Sequence, residues 1–167
     1  MLETIKEMYQ YNSWATGEVL KTMRGLSSEQ YDSPGCSGNG SIHGTLVHLM
    51  STQNNWVLWF NGKIAEKAQA PKIKTNDIPT VESAEEFWRT LDAETTTFIE
   101  SLTVEKLLAN WSWISPAGSS VSLPLWKILL HIENHGTHTR AQIMSAVRRL
   151  GVTPNKTDLV FFELTKK

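Results

Sequence analysis

Leu129-Leu130-His131-Ile132-Glu133-Asn134-His135-Gly136-Thr137-His138-Thr139-Arg140-Ala141-Gln142 is the stretch on which the fold turns. It packs three of the chain's five histidines into eight residues. Pro124 stands ahead of it, Gly151 behind it, and apolar residues recur between them every three or four positions. Those are the start and stop signals of a long helix. At about 100° per residue, His131, His135, His138 and Gln142 fall along one stripe. Leu129, Leu130, Ile132, Ile143 and Val147 flank that stripe, so the polar row is expected to line a cavity rather than face open solvent.

Upstream of this helix, Trp111, Trp113 and Ser115 alternate with Ser112 and Ile114. Pro116-Ala117-Gly118-Ser119 reads as a turn, and Ser120-Val121-Ser122-Leu123 alternates again. The spacing predicts a short β-hairpin. Further back, Ser83-Ala84-Glu85-Glu86 has the form of a capping box and opens a helix through Phe87, Leu91, Phe98 and Leu102. Residues 62–80 are polar and Lys-rich with two prolines, a long connection. Ser41 is a plausible N-cap for a helix from Ile42 to about Asn61, and Leu2 to about Met23 carries one apolar face at helical spacing. Ser33 to Gly40 is loop by composition, and Asp158-Leu159-Val160-Phe161-Phe162 is a short apolar tail that must dock on the rest. Four long helices with one crossover predict an all-α, four-helix bundle, where facing helices assemble metal and ligand sites.

A chain of 167 residues is expected to form one domain with a real core. Its formal net charge of −1, with both signs interspersed, argues against a nucleic-acid partner or an anionic membrane. The single cysteine, Cys36, excludes an internal disulfide framework and fits a reducing compartment; it reads as a bystander in a loop. No apolar run is long enough to span a bilayer and the start shows no signal pattern, so a cytoplasmic location is expected.

The histidines separate by position. His48 lies two turns into the second long helix, where a lone histidine is more often a hydrogen-bonded core residue than a ligand. The stripe on the last helix, which could face it, raises its weight. His43 is five residues earlier and about 140° away around the helix, so it reads as a surface or first-turn residue without function. His131 reads as a hydrogen-bonded packing residue, Arg140 as a tie to a carboxylate elsewhere, and Gln142 as a holder of a water. Of the seven tryptophans, Trp14, Trp88 and Trp126 read as packing, whereas Trp56, Trp59, Trp111 and Trp113 are placed to wall a pocket. Imidazoles contributed by two helices suit Zn²⁺ or Ni²⁺ better than Mg²⁺ or Ca²⁺.

Several of these segments together resemble the DinB-like family of bacterial four-helix-bundle proteins. They are Tyr11-Asn12-Ser13-Trp14-Ala15, the run from Ser41 to Leu49, Pro124-Leu125-Trp126 with Leu129-Leu130-His131, then Asn134-His135-Gly136-Thr137 with Arg140 and Gln142, and the tail from Leu150 to Phe161. The resemblance implies an up-down-down-up bundle and a metal site of three histidines, one on the second long helix and two spaced His-x-x-x-His on the fourth. His48 and His135 match two of them. The third falls at position 139, which here is Thr139. His138 is the neighbour best placed to stand in, although it approaches from the other flank. The resemblance further implies a metal-dependent thiol transferase or isomerase using a low-molecular-weight thiol on a small molecule; in this chain the expected set is His48, His135 and His138 around Zn²⁺ or Ni²⁺, with a homodimer allowed. The loss of the third histidine supports an alternative, a metal-free protein of the same fold that binds a small apolar ligand or serves as an interaction domain.

Overall fold

The computed structural model describes residues 1–35, 38–115 and 117–166. Cys36 and the turn residue Pro116 lie outside the described residues. In chain order the α-helices are α1 (Leu2–Met23), α2 (Ser28–Tyr31), α3 (Ile42–Phe60), α4 (Val81–Glu100), α5 (Val104–Leu108), α6 (Leu125–Arg149) and α7 (Leu159–Thr165). The strands β1 (Asn110–Ile114) and β2 (Ser120–Pro124) form an antiparallel hairpin immediately before α6, with Trp111 opposite Leu123 and Trp113 opposite Val121.

Contacts between the long helices set their directions. Lys6 pairs with Glu100 and Ser13 with Asp92, so α1 and α4 run antiparallel. Gln53 reaches Thr95 and Phe60 stacks on Phe98, so α3 runs parallel to α4. Tyr9 donates to the Leu129 carbonyl and Arg140 to Asn12, so α6 runs parallel to α1. The chain therefore goes up, down, down, up. The two middle helices can be parallel because the long connection between α3 and α4 returns the chain to the starting end. Among the described residues no helix is long and apolar enough to cross a membrane.

Local signals explain the helix ends. The Ser41 hydroxyl accepts from the Gly44 N–H and caps α3. Gly151, at φ +76°, takes the left-handed conformation that stops α6. The third long helix starts earlier than the Ser83–Glu86 pattern predicts. Thr80 is its N-cap, and Thr80 and Ser83 exchange side-chain and backbone bonds as the true capping box. Leu102 consequently lies beyond the helix end, though it remains buried. The tail docks as expected, with Phe162 packed on Tyr11 and Trp14 at centroid distances of 6.0 and 5.7 Å.

A polar spine crosses the apolar core. The Arg140 guanidinium, 1% exposed, donates through Nη2 to Glu133 Oε1 at 2.9 Å and Thr137 Oγ1 at 3.0 Å, and through Nη1 to Asn12 Oδ1. Asn12 Nδ2 passes the chain to Gln53 Oε1 at 3.0 Å, and Gln53 Nε2 passes it to Thr95 Oγ1 at 3.0 Å. All four long helices are thus tied by one hydrogen-bonded row. Gly136 makes room for it, since a Cβ there would lie 3.0 Å from Arg140 Nη1 and 3.1 Å from Asn12 Oδ1. The carboxylate that Arg140 binds is seven residues back on its own helix rather than on another element.

Candidate metal site

α3 and α6 pack against each other in opposite directions, and this brings His48 and His135 face to face. Their Nε2 atoms are 3.1 Å apart, with ring centroids at 5.1 Å and planes inclined by 66°. At that distance one imidazole N–H donates to the bare nitrogen of the other. His48 lies on the exposed side of α3, and its partial burial lowers its pKa. Burial, reinforced by the neighbouring His48, His131 and His138, lowers that of His135 to about 4. Both rings are therefore neutral at neutral pH, the protonation state a metal ligand needs.

The remaining residues of the stripe stand differently. His138 is exposed and its Nε2 accepts from the Gln142 amide at 2.9 Å, so Gln142 holds an imidazole rather than standing free for a water. His131 is exposed as well, and it packs by its ring edge against Trp56 at 6.2 Å instead of being a buried hydrogen-bonded residue. The stripe therefore lies on an open surface with His135 and Gln142 half-buried, not along the wall of a closed cavity. The physical reason is that α3 meets α6 at one flank of the stripe, leaving the other flank to water.

Thr139 sits at 1% exposure, and its hydroxyl donates to the His135 carbonyl at 2.9 Å. His43 departs most from expectation. It is 6% exposed, its Nε2 lies 2.7 Å from the Ile78 carbonyl, its Nδ1 lies 3.2 Å from Asp32 Oδ1, and its ring stacks on Tyr31. It pins the α3–α4 connection and α2 to the start of α3, a structural task far from the histidine pair.

A divalent ion on this pair can be tested against the donors present. Two nitrogens bound to one tetrahedral Zn²⁺ lie about 3.3 Å apart, given Zn–N bonds of roughly 2.0–2.1 Å. The observed 3.1 Å is close to that, and both atoms are uncharged imidazole nitrogens. The residues fit two positions of such a centre. They do not supply a third as they stand: among the described residues no group of three His, Cys, Asp or Glu side chains is gathered for a metal ion.

The pair also fixes a pH dependence. His135 titrates near 4 in the folded chain and near 6.5 when unfolded, so between those values the unfolded chain binds the extra proton. Its contribution to stability is full above about pH 6.5 and is lost as pH falls toward about 4. Discounted for its partial exposure, the loss is about 1–2 kcal/mol. Urea unfolding in chelator-containing buffer should show it, and His135→Gln should flatten that part of the profile. A wild-type profile with no slope there would show that His135 is not held neutral.

Trp56, Trp59, Trp111 and Trp113 pack edge to face beside the stripe, with Trp56–Trp113 at 5.3 Å and Trp59–Trp111 at 5.0 Å. These four lie together as expected, and Lys67 joins them unforeseen. Its ammonium, from the connection read only as polar, lies 4.1 Å over the Trp56 ring.

The DinB family model matches residues 1–166. Protein DinB of Bacillus subtilis (strain 168) is 25% identical over 155 residues, covering 91% of this chain and 89% of that protein. Among solved structures, the chain is similar to YfiT from Bacillus subtilis, a probable metal-dependent hydrolase with an unusual four-helix bundle topology. The TM-score is 0.69 at 16% identity, over 90% of each chain, a likeness of fold.

Proposed function

Because the chain belongs to the DinB family, we propose that it is a metal-dependent enzyme of transferase or hydrolase type acting on a small molecule, with His48 and His135 as its metal ligands. The observation that carries this reading is the 3.1 Å approach of two neutral imidazole nitrogens across α3 and α6. The likeness to YfiT supports it at the level of metal dependence. Zn²⁺ or Ni²⁺ suits the donors, and His138 completes the set when it releases Gln142. When bound, such an ion lowers the pKa of a thiol or water, the step that a low-molecular-weight thiol transferase needs.

The chain's own contribution is to hold the two rings uncharged and aimed at one point. Burial keeps protons off both at neutral pH. The open flank of the stripe leaves an approach for a substrate, and Gln142 holds the His138 ring in a fixed orientation until it is needed.

Competitive Zn²⁺ titration of tag-free protein tests the proposal. His48→Ala and His135→Ala should each weaken binding by about tenfold or more, and a smaller loss in His138→Ala would measure its share. A second reading is favoured by Thr139, whose buried hydroxyl is bound to its own helix: a metal-free bundle that takes a small apolar ligand or serves as an interaction domain. Wild-type protein that binds neither Zn²⁺ nor Ni²⁺ in such titrations would overturn the metal-dependent reading.

A further inference from the structure

Beside the histidine stripe, and separated from it by Trp56, lies a recess of about 230 Å³ between the hairpin and the start of the α3–α4 connection. Trp59, Trp113 and Ile114 form its apolar walls, with Ser112, Glu66 and Lys67 among its polar ones. Its size is below that of drug-sized clefts, which run to roughly 300–1,000 Å³, and suits a molecule of about one ring. Two half-buried indoles offer π surface to such a ring.

Lys67 gives the recess its sign. Its ammonium is half-buried and rests on the Trp56 face at 4.1 Å, and among the described residues it has no ion pair or hydrogen bond. Burial lowers its pKa, as expected for a cation whose surroundings supply no compensating anion. The neighbouring Glu66 is exposed to water, and its N–H is bound to the Gln69 side chain at 3.2 Å. A cation at the edge of an aromatic recess is half of a recognition site for a flat molecule that carries a negative charge.

We propose that this recess binds a small aromatic carboxylate, its ring against Trp59 and Trp113 and its carboxylate on the Lys67 ammonium. The site is independent of the histidine pair, so it holds whether or not a metal binds there.

Fluorine NMR line broadening of 4-fluorobenzoate, measured with chelator present, tests it. Neutral 4-fluorobenzamide should bind more weakly and cationic 4-fluorobenzylamine not at all. Lys67→Gln should weaken benzoate binding about tenfold, the scale of a charged hydrogen bond, while Glu66→Gln should tighten it. Trp113→Ala should abolish it. Because that variant can disturb the hairpin, Ile114→Glu, a change at a half-exposed position that sets a carboxylate at the rim, should abolish it too. His48→Ala should leave it unchanged, which keeps this result separate from the metal titration. Absence of broadening in the wild type, equal binding of benzamide and benzoate, or benzoate binding unaffected by Lys67→Gln or by Ile114→Glu would each overturn the assignment.

Discussion

Thr139→His is expected to raise Zn²⁺ affinity by about a hundredfold, the scale at which a well-placed donor tunes a metal site. The new ring stands one helical turn beyond His135, on the flank of the pair that His131 and His138 do not occupy. It adds a donor to two imidazoles already in ligand-like separation, 3.1 Å apart. The Thr139 hydroxyl gives up only a bond to the carbonyl of its own helix. The position is buried, at 1% exposure, so circular dichroism and a thermal melt must accompany the titration to show that the bundle has absorbed the larger side chain. His135→Ala in the Thr139→His background should remove the gain. If the wild type already binds as tightly as Thr139→His, a third donor is present without it, and His138 is the first to examine.

The second large effect is on stability. Arg140→Met should cost about 3–5 kcal/mol, because it leaves the Glu133 carboxylate buried without its cation. Glu133 is already under strain of this kind. Among the described residues its Oε2 has no hydrogen-bond partner, and burial raises its pKa against the opposing pull of Arg140. For a chain of this size the loss corresponds to a fall of roughly 6–20 °C in Tm. Adding Glu133→Gln to Arg140→Met should recover part of it, since the stranded charge is then gone. A single-variant loss below about 1 kcal/mol would mean that the guanidinium is replaceable by packing alone.

What the sequence made legible followed from periodicity. α1, α3 and α6 are long enough for the 3.6-residue rhythm to repeat, and the period-2 run of Trp111 and Trp113 marked the hairpin. The approach of His48 to His135 was legible because the family motif names both positions. Helices of four and five residues, α2 and α5, hold too few positions to show a period. His43 was misplaced because helical angle says nothing about what the connections cover: its partners Asp32 and Ile78 come from segments 11 and 35 residues away. The Arg140 partner lies not across the bundle but two turns back on the same helix, where sequence separation alone does not single it out. Lys67 was hidden in a stretch whose composition reads as solvated.

The polar spine has a further consequence when α6 is considered as a part that must be aimed. Glu133 and Arg140 point into the bundle, while His131, His135 and His138 lie about 140–180° around the same helix. Turning α6 by one residue would swing Arg140 about 100° away from Asn12 and drive a guanidinium into hydrocarbon. Hydrophobic side chains alone tolerate such a turn far better, because one apolar contact resembles another. The spine therefore works as a spline on a shaft. It fixes the rotation of α6, and with it the bearing of His135 on His48, from the side of the helix that no substrate reaches. Substitutions beside His135, such as the threonine at position 139, can then alter the chemistry while the aim is kept.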